Sequence, residues 1–409
     1  MPREASRPPL RRFLLLLGPA FVASIAYVDP GNVAANLTAG AGYGYLLIWV
    51  LVGANAMAML IQYQSAKLGI VTGRSLPELI AERSGDVGRR AFWLQAEVVA
   101  AATDVAEVIG GAVALNLLFG LPMFVGGIIV GIVSMLMLAM QNRRGERSFE
   151  GLIMALLAVI AIGFVAGLFV SAPDWRAAAG GLLPHFDGAP TVLLAAGMLG
   201  ATVMPHAIYL HSALARDRHG RHSDPAVLRR LVRATRWDVV IALAIAGAVN
   251  IGMLLLAASS LSGRMGTDTI EGAHAAIQSA LGPVVGIAFG VGLLASGLAS
   301  TSVGCYAGAI VMSGLLKVRV PLLARRAVTL VPALIILALG VEPTWALVLS
   351  QVLLSLGIPF ALIPLVRLTG NRLLMGAHVD AWLTRVLAWT SATMIVALNV
   401  ALIVFTVMG

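Results

Sequence analysis

Eleven apolar runs, each long enough to cross a lipid bilayer, leave this chain very few folds to adopt. They lie near residues 13–38, 45–68, 91–118, 122–141, 149–171, 190–215, 237–260, 284–314, 324–341, 343–367 and 384–407. A spanning helix takes about 20 mainly apolar residues, and in hydrocarbon every backbone N–H and C=O must be satisfied inside the protein. Runs of this kind therefore fold as helices. Charged residues are only 11% of the 409 and hydrophobic residues 59%, whereas about a quarter of a soluble domain is charged. Such a chain cannot cover itself with a wet surface. A soluble enzyme, a fibrous protein and a disordered tail are excluded. The expected class is an all-α polytopic membrane protein with 11 transmembrane helices in one domain over 1–409.

The first run follows Arg11 and Arg12 in the manner of a signal peptide. Its apolar stretch continues past any cleavage site into a Pro-Gly break and a second helical half, so it reads as a retained span. The net charge of +9 comes from residues that are almost all Arg, Lys67 and Lys317 being the only lysines, and they sit between the apolar runs. With the N-terminus in the cytoplasm, 26 of the 28 basic residues fall inside and only Arg176 and Arg264 fall outside. The positive-inside rule then gives a cell-membrane protein with a cytoplasmic N-terminus and an extracytoplasmic C-terminus. The basic charge is topology, and no nucleic-acid partner is implied. Segment 75–84 has helix caps and mixed polarity, as expected of a cytoplasmic helix at the interface. The single cysteine, Cys305, excludes an internal disulfide and any multi-cysteine metal site.

Two spans carry helix breakers in matching places. Asp29-Pro30-Gly31-Asn32 interrupts the first, and Gly200-Ala201-Thr202-Val203-Met204-Pro205-His206 interrupts the sixth. Proline removes a backbone hydrogen bond, and at membrane depth the freed carbonyls must face protein or a water-filled cavity. Paired interruptions five helices apart are the signature of a transporter with an inverted five-plus-five repeat, whose site lies between the broken helices. Two ordinary proline kinks would read the same by spacing alone. The repeats fall at 13–171 and 190–367, with an extra helix at 384–407.

Polar residues inside the spans are costly and require a reason. At the breaks stand Asp29, Asn32 and Met204, with the carbonyls of Ala26 and Ala201 as candidates freed by unwinding. A carboxylate, an amide and a thioether form a mixed hard-and-soft set that suits a first-row divalent metal better than a hard cation. Taken singly, Met204 reads as packing and Asp29 as a helix cap. In the third span Glu97, Asp104 and Glu107 share one helical face. They line an aqueous path and relay protons, or they form a static network, with Arg325 or Arg326 as the obvious partner. His206, at the break, is the better proton carrier or gate. His211, five residues on, lies about 140° round a regular helix and does not form one bidentate site with it, but it is a further candidate for the proton pathway. Gln351 in the tenth span is either a ligand in one state or a helix–helix hydrogen bond. For Asn250 the structural reading leads, and the small residues from Gly286 to Ser300 read as close packing.

Asp29-Pro30-Gly31-Asn32, Met204-Pro205-His206 and Thr103-Asp104-Val105-Ala106-Glu107 resemble, in order and spacing, the signature motifs of the Nramp family of divalent-metal transporters. The resemblance runs from about Leu17 to the last helix. It implies a LeuT-like fold and proton-linked uptake of Mn²⁺ or Fe²⁺, with Co²⁺ and Cd²⁺ also accepted. It implies metal ligation by Asp29, Asn32 and Met204 through side chains, by Ala26 and Ala201 through carbonyls, and by Gln351 in some states. It also implies proton movement through His206, Asp104, Glu107, Glu97 and Arg326. Magnesium-transporting relatives lack the methionine, and Met204 argues against that branch.

Other classes find less support. No HExxH pair, GxSxG elbow or cysteine cluster marks an enzyme, and without a Gly-Lys dipeptide there is no Walker A loop for an ATP-driven pump. A sodium-coupled amino-acid transporter could use the same broken helices, but Asp29 would repel a substrate carboxylate and Met204 prefers a soft cation. The expected partners are divalent metals, protons and lipid. No resident cofactor is expected, and nothing requires more than a monomer.

Overall fold

The computed structural model describes residues 18–408 apart from Gly145, Met265 and Asp268. Within them the regular structure is entirely helical. The basic N-terminal residues and the opening of the first expected span lie outside the described residues. Every other expected span coincides with helix, and the first is met from residue 18 onward.

The first span is broken into α1 (Pro19–Ser24), a 3₁₀ turn (Ile25–Val28) and α2 (Pro30–Tyr43). Then come α3 (Ile48–Thr72), the short α4 (Leu76–Arg83), α5 (Asp86–Phe119), α6 (Met123–Arg144) and α7 (Glu146–Val165). After the short α8 (Trp175–Gly180), the second broken span follows as α9 (Gly188–Thr202) and α10 (Pro205–His219). The remainder are α11 (Pro225–Ser260), α12 (Ile270–Leu281), α13 (Pro283–Leu316), α14 (Leu322–Ala338), α15 (Pro343–Thr369), α16 (Arg372–Met375) and α17 (Trp382–Met408). Among the described residues, 8 helical segments are long and apolar enough to cross a membrane. The interrupted first span, α3 and the 17-residue α14 fall short of that criterion.

Several boundaries differ from expectation for physical reasons. Helix α11 begins at Pro225, with Asp224 capping Ala226 N–H, rather than near 237. Its first turns carry Arg229, Arg230, Arg233 and Arg236, so helix propensity continues where hydropathy stops. Helix α12 is amphipathic and too polar to register as a span, yet it forms because Thr269 caps it and Ile270, Ala273 and Ile277 are buried. Expected segment 75–84 is observed as α4, with a complete capping box between Ser75 and Glu78. Exposed Trp175, Trp345 and Trp382 lie at or near helix starts, where amphipathic indoles suit a membrane interface.

Small residues set how closely the helices approach. A Cβ at Gly110 of α5 would overlap the Pro30 ring, and one at Gly69 of α3 would overlap the Ser212 carbonyl of α10. A Cβ at Gly297 of α13 would lie 2.9 Å from the Glu107 carbonyl oxygen. Each broken span is thereby seated against a continuous helix whose own contact residue, Gly110 or Gly69, carries no side chain.

Candidate metal-binding site at the two helix breaks

Each break is a proline device. Pro30 and Pro205 have no N–H, so the carbonyls four residues earlier, those of Ala26 and Ala201, lose their α-helical donors. The proline ring also pushes the preceding residue out of the helical region. Asp29 accordingly has ψ 168° and Met204 ψ 122°, and each becomes the N-cap of the helix that follows.

One amide joins the two breaks. Asn32 Nδ2 donates to Asp29 Oδ1 at 2.8 Å and to the Ala201 carbonyl at 2.8 Å, while Asn32 N–H donates to Asp29 Oδ1 at 2.7 Å. Two other carbonyls of the first break are occupied. Tyr27 O accepts from Asn250 Nδ2 at 2.6 Å and Val28 O accepts from Ser296 Oγ at 2.6 Å. Gln351 of α15 comes from a third direction, its Nε2 lying 3.4 Å from Asp29 Oδ2. Helix α15 can approach this closely because a Cβ at Gly31 would overlap the Gln351 amide and one at Gly200 would lie 2.5 Å from the Gln351 carbonyl oxygen.

Ala26, Asp29, Ala201 and Met204 are wholly buried, and Asn32 and Gln351 nearly so. Among the described residues Asp29 has no Lys, Arg or His paired with it. Asn32 Oδ1 and Gln351 Oε1 are buried acceptors with no donor among the described residues. A buried carboxylate beside orphaned amide oxygens and a thioether is the donor set a desolvated divalent transition metal would complete. Among the described residues no group of three or more His, Cys, Asp or Glu could hold a metal, so this mixed set is the candidate. With Asn32 as placed here, the Ala201 carbonyl is engaged by an amide N–H. Its use as a ligand requires that amide to turn.

The charged face of α5 is divided. Glu97 pairs with Arg325 at 2.7 Å, and Asp104 pairs with Arg326, so both arginines serve and each takes its own carboxylate. Arg326 Nε also donates to Ser134 Oγ at 2.7 Å, and Thr301 Oγ1 donates to Asp104 Oδ1 at 2.6 Å. Glu107 is fully buried, neither of its oxygens has a partner among the described residues, and it sits one turn from Gly110, which abuts Pro30. Gly304 makes room for its carboxylate, since a Cβ there would lie 3.0 Å from Glu107 Oε2.

His206 is buried in the first turn of α10, and neither ring nitrogen has a partner among the described residues. His211 faces elsewhere: its Nδ1 meets Gln62 Oε1 at 2.8 Å, and Gln62 Nε2 donates to Tyr27 OH at 2.6 Å. Among the described residues no hydrogen bond or ion pair joins His211 to Glu97, Asp104 or Glu107. Sequence reasoning missed Ser134, Thr301 and Gln62. A lone hydroxyl or amide in an apolar run carries no signal until its charged partner is located.

Comparison with known proteins agrees with this geometry. The Nramp model, described as natural resistance-associated macrophage protein-like, matches residues 20–405. The divalent metal cation transporter MntH of Mycobacterium tuberculosis is 60% identical over 407 residues, covering 99% of this chain and 95% of the relative. The crystal structure of the Eremococcus coleocola manganese transporter, in complex with an aromatic bis-isothiourea compound, superposes with a TM-score of 0.89. It is 31% identical, and the match covers 98% of this chain and 88% of that one. MHP1, a nucleobase-cation-symport-1 transporter, matches with a TM-score of 0.61 at 14% identity over 95% and 91% of the two chains, a likeness of fold alone. A multi-pass helical bundle with two proline breaks meeting at one buried carboxylate, matched almost end to end by that family's model, belongs to the Nramp family.

Proposed function

We propose that this chain is a secondary transporter that imports divalent transition metals, Mn²⁺ and Fe²⁺ foremost and Co²⁺ and Cd²⁺ with them, by alternating access and in symport with protons. One observation carries the reading. The Asn32 amide bridges Asp29 and the Ala201 carbonyl, bringing the Met204 break to a buried carboxylate and two amide oxygens that have, among the described residues, no basic partner and no donor respectively. Similarity to MntH and to a manganese transporter favours the same cargo.

Metal arrives from the outside and meets Asp29, Asn32 and Met204, with the Ala26 and Ala201 carbonyls completing the shell and Gln351 closing over it. The proton displaced by metal leaves toward the cytoplasm by way of His206 or the Asp104–Glu107 face, with Glu97 and Arg326 beyond. An inside-negative potential assists the cation by about 2.3 kcal/mol per charge per 100 mV. In this scheme the chain acts as a monomer in the cell membrane, N-terminus inside and C-terminus outside. Residues 13–171 and 190–367 are its inverted repeats, and 384–407 is the added helix. Met204 disfavours magnesium as cargo, and Asp29 disfavours an amino-acid carboxylate.

The test is Mn²⁺ uptake into proteoliposomes at negative internal potential, with Ca²⁺ and Mg²⁺ competing and lumenal pH recorded. Uptake that resists excess Ca²⁺ and acidifies the lumen is expected. Folded protein that takes up no Mn²⁺, or is blocked equally by Mg²⁺, would refute the reading.

A further inference from the structure

Helix α15, which carries Gln351, is jointed by two internal prolines, Pro359 and Pro364. Each deprives the carbonyl four residues earlier of its helical donor, leaving Ser355 O and Phe360 O to be satisfied from outside. Both are. Asn399 Nδ2 of α17 donates to Ser355 O at 2.7 Å, while Ser355 Oγ donates to Asn399 Oδ1. At the second joint the Tyr209 hydroxyl of α10 reaches Phe360 O at 3.4 Å.

Asn399 is buried in a helix whose neighbouring Val396 and Val400 are exposed, so its amide is turned inward at the joint. Ser355 is one turn from Gln351, and both pack on Gly200: a Cβ there would lie 2.5 Å from Gln351 O and 2.8 Å from Ser355 Cβ. Gly200 immediately precedes Ala201. The first joint of α15, the second helix break and the Gln351 amide therefore form one contiguous unit.

We infer that Asn399 is a positioning residue for Gln351: by supplying the hydrogen bond that Pro359 removes, it fixes the bend of α15 and hence the reach of the Gln351 amide to Asp29. The inference rests on the proposed role of Gln351 in closing over the metal. On this view the last helix holds the joint of a moving part.

The test is a set of mutant cycles read by Mn²⁺ uptake in proteoliposomes, with folding checked by gel filtration and thermal unfolding. Asn399→Leu keeps the volume and removes the donor to Ser355 O, while Ser355 Oγ can turn to the Gln351 carbonyl one turn back. It is expected to slow uptake about fivefold, the worth of one hydrogen bond. Pro359→Ala restores a backbone N–H to Ser355 O, so in that background N399L should matter less than about twofold. In a Gln351→Ala background N399L should add nothing. An N399L chain that folds only when P359A is also present supports the same compensation. The inference is overturned if N399L has no effect, acts equally with and without Pro359, multiplies the loss from Q351A, or fails to fold in both backgrounds. Wild-type protein that folds but takes up no Mn²⁺ overturns the transport reading and this inference with it, whereas intact wild-type uptake with independent mutant effects overturns the inference alone.

Discussion

The two helix breaks use the same backbone device and fill it with opposite side chains. Each places an extended residue before a proline and frees the carbonyl of an alanine four residues before it. At the first break that residue is Asp29, whose carboxylate caps α2 through Asn32 N–H. At the second it is Met204, whose thioether makes no cap on α10. The hard donor thus has a structural duty besides the metal-binding one proposed for it, whereas the thioether has no capping duty. In the proposed site, hard and soft donors drawn from the two breaks let affinity and selectivity be set by different residues.

The largest effect that would test this division is at Asp29. Both Asp29→Asn and Asp29→Ala should reduce Mn²⁺ uptake to that of empty liposomes, because each removes the only carboxylate in the donor set. Their stabilities should part. Asn at an N-cap accepts the same N–H, so D29N should melt no lower than wild type, whereas D29A should lose about 1 kcal/mol with the cap. Equal melting of the two variants would mean that the cap carries no weight, and retained uptake in D29N would mean that charge is not what binds the metal.

Met204→Leu comes next. The substitution keeps volume, so it should cost less than about 1.5 kcal/mol in stability. Mn²⁺ uptake should persist, with Ca²⁺ now competing where it did not before, as expected when a soft ligand is removed from a mixed shell. Unchanged Ca²⁺ competition would place the thioether outside the shell and leave Met204 as packing.

How much of this was legible beforehand follows from what each feature depends on. The breaks were readable because proline acts locally, and the burial of Asp29 followed from its place inside an apolar run. The α5 carboxylates were readable as a face, since helical periodicity is local too. Which arginine each would take was not, because Arg325 and Arg326 are adjacent in sequence and only packing assigns Arg325 to Glu97 and Arg326 to Asp104. Likewise no pattern foretold that Asn399 would satisfy the carbonyl opposite Pro359. Helix α12 escaped because a 12-residue amphipathic helix is too short and too polar to give a spanning signal, and the start of α11 escaped because its arginines end the apolar signal without ending the helix.

The half-helices α1 and α10 extend the comparison and give the smallest effect. The start of α1 is held by a buried carboxylate, Asp238 of α11 accepting from Gly18 N–H at 3.1 Å and Ala20 N–H at 3.0 Å. Helix α10 is held at its C-terminal end by Arg216 pairing with Glu78 at 2.6 Å, a contact partly open to solvent. Glu78 has two jobs: its carboxylate also accepts Ser75 N–H at 2.7 Å in the capping box of α4. Partial burial pushes the Glu78 carboxyl up, but the Ser75 N–H and the Arg216 guanidinium outweigh it and hold the group below its ordinary value of 4.5. A carboxyl lowered in this way stabilises the fold fully above its unfolded value, and the contribution disappears as pH falls through the folded one. Glu78→Gln preserves the capping box and removes only the charge. Its cost at neutral pH should be about 0.3–0.5 kcal/mol, since solvent screens a pair this exposed. The difference in thermal midpoint between wild type and E78Q should hold down to about pH 5 and close below the ordinary carboxylate range. A gap that widens with acid would mean that Glu78 gains its stability from being protonated, and the tether on α10 would then be the hydrogen bond from Leu76 N–H to Ser212 Oγ at 2.8 Å rather than the ion pair.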